Sequence, residues 1–269
     1  MKQSIVLSTQ PAQFQAATFK GDLEKNLTQI KSLGYDGAEL AIRDPKLIDM
    51  NNLDQLLRKN NLRVPATGTG QAWGEEGLSF TDPDPEIRAA AIQRVISHIP
   101  VAAHFGAVII IGLVRGIVKP GVDQEQAMEW LVQALAECSA AARPQNIRLA
   151  LEPINRYETT LINNVTQGLD LIKRVGADNF GLLLDTFHMN IEEVNIEESI
   201  RACGDRIYHF HVADSNRWYP GAGHLNFKSM LKALAETGYK GWISGEFQAL
   251  PDPITAAEKS LAYLRQIEI

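Results

Sequence analysis

The sequence predicts an α/β fold, a single (β/α)8 barrel spanning residues 1–269. Three observations point to it. Short apolar runs and helical patterns alternate along the chain without interruption. The apolar runs number eight, so one strand–helix unit takes about 34 residues, close to the ~250 residues a barrel of this kind needs. No glycine-rich dinucleotide fingerprint follows the first run, which argues against a doubly wound open sheet.

The eight runs read as buried parallel strands, apolar throughout because helices cover them. They are "SIVLST" (4–9), "GAELAI" (37–42), "RVPATG" (63–68), "AVIIIGLV" (107–114), "IRLALEP" (147–153), "FGLLLD" (180–185), "IYHFHVA" (207–213) and "GWISGEF" (241–247). After the first comes "DLEKNLTQIKSLG", with Asp22 as N-cap and Gly34 as the stop. After the third comes "DPEIRAAAIQRVISHIPVAAHFG", with Pro85 in its first turn and Pro100 placed to bend or break it. "NVTQGLDLIKRVG" and "NFKSMLKALAETG" both end in glycine, and "DPITAAEKSLAYLRQIEI" closes the chain. No linker, charge run or low-complexity segment marks a second domain.

Composition narrows the function classes. With 45% hydrophobic and 22% charged residues, the chain has the make-up of a globular protein with a large core. The net charge of −6 argues against nucleic acid or an anionic membrane as partner. Cys138 and Cys203 fall in helix-like segments and read as reduced and inert, as in a cytoplasmic protein. The N-terminus has too short an apolar run for a signal peptide, and no stretch approaches ~18 apolar residues.

In such a barrel, reactive groups sit at the C-terminal ends of strands. Strand five exits at Glu152, strand six at Asp185, strand seven carries His211, and strand eight carries Glu246. They stand 33, 26 and 35 residues apart, about one unit each. One carboxylate at a strand exit is usually a helix N-cap or a surface group. Four ligand-type residues on successive strands make a site, since a buried unpaired carboxylate is costly and a metal-bound one is not. Three carboxylates and an imidazole suit one divalent cation, Mn²⁺ first, with Mg²⁺ or Co²⁺ as alternatives. His209 shares the face of His211, so spacing leaves both open. His98 and His104 read as core or surface residues, and His224 is loop-borne. Arg43 and Arg115 follow strands two and four. They read either as ion pairs with nearby acids or as a clamp for a substrate carboxylate. Trp73 and Phe187 read as plain packing or as pocket walls.

The stretches "EPINRYET", "LLLDTFHMNIEE" and "HFHVADSNR…PGAGHLNF", with Glu246 in the last strand, resemble the xylose-isomerase-like TIM-barrel superfamily of sugar isomerases and epimerases. Within it they are similar to the ketose 3-epimerase branch of D-tagatose and D-psicose 3-epimerases. "FKGDLEKN", "AIRDP", "GTGQAW", "IIGLVRG", "EEVNI" and "VADSNRWYPGAGH" resemble more narrowly the bacterial 5-keto-L-gluconate epimerases of inositol catabolism. The resemblance runs nearly end to end. It implies Glu152, Asp185, His211 and Glu246 as metal ligands, and so selects His211 over His209. It implies Glu152 and Glu246 as the paired acid and base, and Glu158, His188 and Arg217 as substrate contacts. It also implies a homo-oligomer, a dimer or tetramer. Gln248 stands where many neutral-ketose epimerases have an aromatic residue.

The chemistry implied is inversion of the carbon next to a ketone. A cation on the ketone oxygen stabilises the enediolate left when the proton departs, and two carboxylates serve the two faces. The substrate expected from the narrower resemblance and the two rim arginines is a keto-uronate, 5-keto-L-gluconate interconverting with D-tagaturonate. The alternatives are a neutral ketose 3-epimerase and an aldose–ketose isomerase of the hydroxypyruvate type. An apurinic endonuclease of the same superfamily needs further histidines and a basic rim, and "AIRDP" and "TGTGQAW" hold no histidine. A sugar-binding barrel without catalysis leaves the acid/base pair unexplained.

Overall fold

In the computed structural model, which describes residues 1–267, eight parallel strands close into a barrel in chain order. They are β1 (Lys2–Ser8), β2 (Gly37–Ala41), β3 (Ala66–Gly68), β4 (Val108–Ile111), β5 (Leu149–Leu151), β6 (Phe180–Asp185), β7 (Ile207–Val212) and β8 (Trp242–Gly245). β8 closes on β1 with Lys2 opposite Trp242. Each lies inside its expected run apart from the first two residues of β1, and several are shorter.

Local signals set the helix ends. Asp22 caps helix Leu23–Leu33 by accepting from Lys25 N, and Gly34 ends it at φ 99°, where a side chain would be strained. The break expected from Pro100 is present: helix Pro85–Ser97 stops, His98 intervenes, and Ile99–Phe105 follows. Asn164 and Asn226 cap Val165–Val175 and Phe227–Glu236. The last expected helix runs Pro253–Arg265; residues 268 and 269 of that stretch lie outside the described residues. Helices Met50–Lys59, Gln71–Glu76, Gln124–Ala142, Thr186–Glu192 and Ile196–Cys203 complete the shell. No helix among the described residues is long and apolar enough to cross a membrane.

Alternation along each strand divides the apolar residues into two layers. Ile5, Leu7, Leu40, Ile109, Ile111, Leu149, Leu182 and Leu184 join the large core shared with the helices. Ala66, Val108, Ile110, Ala150 and Leu183 form a separate cluster that fills the barrel. Val6, Ala17 and Ala41 form a third, with Phe14 packed on it. β7 breaks the simple alternation. Its register against β6 shifts between Leu182 and Leu183, so Ile207 stays in the outer core. Beyond the shift, His209 pairs with the interior residue Leu183 and His211 pairs with Asp185. A one-residue slip moves side chains to the other face. Here it brings both imidazoles into the barrel.

Candidate metal centre and active site

Glu152 follows β5, Asp185 ends β6, His211 lies near the end of β7, and Glu246 follows β8. All four are buried, at 5%, 2%, 1% and 8% exposure. Nδ1 of His211 lies 4.0 Å from Glu152 Oε1, 3.7 Å from Asp185 Oδ2 and 3.8 Å from Glu246 Oε1. One ligand atom from each residue falls within 4.8 Å of the others. Ligand atoms about 2.1 Å from one octahedral cation stand between ~3 and ~4.2 Å apart, so the spacing fits. Glu152 Oε1 and His211 Nδ1 are buried without a hydrogen-bond partner. A cation satisfies both.

Electrostatics point the same way. Burial, and next the Glu246 carboxylate, push Glu152 well above the usual carboxylate range. Burial raises Glu246 to about 7 against the pull of His211. Asp185 is also raised by burial, again against His211. Burial works against a charge on His211, but Glu39 and Glu246 lift it to about 10. Three crowded carboxylates with one imidazole create a strong demand for positive charge.

Asp185 serves two purposes. Its Oδ1 caps helix Thr186–Glu192, accepting from Phe187 N at 2.7 Å and His188 N at 3.4 Å, while Oδ2 faces His211. The cap fixes the carboxylate and starts the helix that carries His188. Asn155 Nδ2 donates to His188 Nδ1 at 2.8 Å, which leaves the ring proton on Nε2, 3.6 Å from Glu152 Oε1. Burial and the nearby Arg217 hold His188 well below its ordinary range, so the ring is neutral. Arg217 sits at φ 61°, an unusual conformation for a long side chain. Asp214 braces its loop by accepting from the backbone N–H groups of Ser215, Gly221 and Leu225. The Arg217 guanidinium donates to Glu158 Oε1 at 2.9 Å, lies 3.7 Å from Glu246 Oε2, and stacks 4.9 Å from the Phe187 ring.

These groups open on one cavity of about 310 Å³, whose lining includes Glu152, Glu246, Glu158, His188, Arg217 and Trp73. Asp185 is not part of the lining. The two arginines expected to clamp a carboxylate do not reach it. Arg115 is fully buried: a short 3₁₀ turn after β4 folds it under the rim, where it donates to the backbone carbonyls of Gly112, Ile111, Ile162 and Glu152. Arg43 pairs with Glu76 at 3.4 Å without a hydrogen bond and lies outside the lining. Gln248 is half-buried and also outside it. His98 is fully buried, His104 pairs with Asp54, and His224 contacts Ser215 in its loop.

Sequence reading passed over Asn155, Asp214, the Phe14 segment and Glu39. Glu39 left a signal, the one charge inside the apolar run "GAELAI". It is 2% exposed, and its carboxylate lies 2.7 Å from His209 Nε2 and 2.9 Å from His211 Nε2. Burial opposes its charge, but His211 and His209 hold it well below the usual range.

A sequence model of the family described as xylose isomerase-like TIM barrel matches residues 27–267. An L-ribulose 3-epimerase of Methylomonas sp. strain DH-1 is 33% identical over 216 residues, 79% of this chain and 74% of that protein. A D-psicose 3-epimerase of Ruminiclostridium cellulolyticum is 30% identical over 230 residues, covering 83% and 77%. A crystal structure of D-allulose 3-epimerase from Methylomonas sp. with D-allulose superposes with a TM-score of 0.86 at 26% identity, over 100% of this chain and 97% of that one.

Proposed function

The chain belongs to the xylose isomerase-like TIM-barrel family, and from that premise we propose that it is a cation-dependent sugar epimerase that inverts the carbon beside a ketone. One observation carries the reading: Glu152 Oε1 and His211 Nδ1 are buried and unpartnered, and they converge with Asp185 and Glu246 at the floor of a sugar-sized cavity. The curated relatives' names, epimerases of L-ribulose and D-psicose, support the class.

Glu152, Asp185, His211 and Glu246 would hold one divalent cation, with Mn²⁺ the best match to an oxygen-rich set. Bound there, it supplies Lewis-acid polarisation of the substrate ketone. The protein's own groups do the rest. Glu152 and Glu246 arise from β5 and β8, three strands apart around the rim. One takes the proton from carbon and the other returns a proton to the opposite face. A carboxylate raised toward neutrality, as Glu246 is, suits both giving and taking a proton at physiological pH. The neutral His188, with its proton on Nε2, donates to a substrate oxygen. Arg217 and Glu158, paired with each other, orient the hydroxyls. Trp73 helps to exclude water from one side.

The substrate class follows from charge. The lining carries Glu39, Glu75, Glu152, Glu158 and Glu246, and among the described residues its one Lys or Arg is Arg217, already bonded to Glu158. A carboxylate on the substrate would meet repulsion and no free guanidinium. We therefore place a neutral ketose first and the keto-uronate second, since Arg43 and Arg115 no longer speak for the latter. The test incubates Mn²⁺-loaded protein with L-ribulose, D-psicose and D-tagaturonate in D₂O under NMR. Neutral ketoses should exchange deuterium at the inverted carbon with the higher kcat/KM. A higher value for D-tagaturonate reverses the substrate order, and no exchange with any ketose or keto-uronate rejects the epimerase.

A further inference from the structure

Glu39 lies in β2, whereas His209 and His211 lie in β7, so their contact spans the barrel interior instead of joining neighbouring strands. Oε2 lies 2.7 Å from His209 Nε2; Oε1 and Oε2 lie 2.9 and 3.0 Å from His211 Nε2. An ionised carboxylate only accepts hydrogen bonds, so both Nε2 atoms carry protons. For His211 this leaves Nδ1, the unpartnered atom that faces Glu152, Asp185 and Glu246.

We infer that Glu39 is a positioning residue for the cation: it holds the His211 proton on Nε2 and so presents the Nδ1 lone pair to the metal centre. His209 completes the arrangement. It shares Oε2 of the same carboxylate and so helps to hold Glu39 against His211. The two rings meet edge to face, 5.2 Å between centroids and 81° between planes, which fixes the His211 ring plane as well. A metal-bound histidine generally needs such a partner on its other nitrogen, and losing it costs 10–100-fold in metal affinity. Glu39, His209 and His211 have also the residue types of a second cation site. Their separations of 2.7–3.0 Å are those of hydrogen bonds, and the three groups already satisfy one another.

The inference rests on the proposed cation site, and two measurements separate the two. Titration calorimetry with Mn²⁺ alone should give one cation per wild-type chain and an affinity roughly 10–100-fold weaker for Glu39→Gln. Imidazole ¹⁵N NMR of the Mg²⁺-loaded wild type should show His211 protonated at Nε2 only, and Glu39→Gln should lose that single tautomer. The NMR arm decides even where the variant fails to fold. His211 protonated at Nδ1 in wild type, or Glu39→Gln binding Mn²⁺ within about threefold of wild type, overturns the positioning role. Two cations per wild-type chain, falling to one in Glu39→Gln, makes Glu39 a ligand instead. No Mn²⁺ uptake by wild type overturns the cation site itself and this inference with it.

Discussion

In the proposed mechanism Glu152 and Glu246 would each do two things, hold a cation and move a proton. Glu152→Gln and Glu246→Gln keep the size of the side chain but remove the basic oxygen. Each should lower kcat by about 10²–10⁴-fold while the far-UV dichroism stays unchanged. Turnover above roughly a hundredth of wild type in either variant contradicts the paired acid/base roles. Arg115 makes a contrasting prediction. Its guanidinium donates to four buried backbone carbonyls, one of them on Glu152. The carbonyls of Gly112, Ile111 and Ile162 keep a backbone N–H donor, so Arg115→Ala leaves the Glu152 carbonyl bare and should lose ~1–3 kcal/mol in urea unfolding. Arg43→Ala removes only a partly exposed ion pair and should stay within about 1 kcal/mol. A clamp would behave the other way: normal stability and a raised KM for the uronate alone.

At the scale of elements, His98 is the joint between helices Pro85–Ser97 and Ile99–Phe105. It is fully buried, and neither ring nitrogen has a hydrogen-bond partner. Burial, with the Arg94 charge behind it, pushes its pKa down to about 3; only Asp44 pulls upward. The unfolded chain takes up a proton near pH 6.5 that the folded chain refuses. Stability is therefore unaffected above pH 6.5 and falls as pH drops from there toward 3, by ~1.4 kcal/mol per unit. His98→Phe should remove this term. Between pH 7 and 5 it should lose about 2 kcal/mol less than wild type in urea titrations. An unchanged difference between the two pH values would show that His98 accepts a proton in place.

For the whole molecule, the barrel brings distant residues to one rim, and the proposed cation would join β5, β6, β7 and β8. Removing it with EDTA should abolish turnover and lower the melting temperature; Mn²⁺ should restore both. At cation concentrations ~100 times Kd the stabilisation is about 2.7 kcal/mol. That corresponds to about 5–10 °C in a chain of this size. Activity that survives EDTA, with no change in melting temperature, contradicts a cation-dependent enzyme.

Much was legible from sequence because the relevant signals are local. Strand runs, the helix cap at Asp22 with its stop at Gly34, and the break at Pro100 depend on a few neighbouring residues. One strand per unit then places Glu152, Asp185, His211 and Glu246 at a common rim, whatever the side chains beside them do. What lay beyond reach depends on partners far away in the chain. Arg43 and Arg115 have the right residue type at the right strand exits, but their direction is set by Glu76 and by the carbonyls of Ile162 and Glu152. Alternation puts His209 and His211 on one face of β7, but which of them stands beside Asp185 is set by the register against β6. Glu39 finds its imidazoles 170 and 172 residues away. Periodicity determined where chain segments run; closure of the barrel decided which charges meet, because only there do packing and desolvation select the partner.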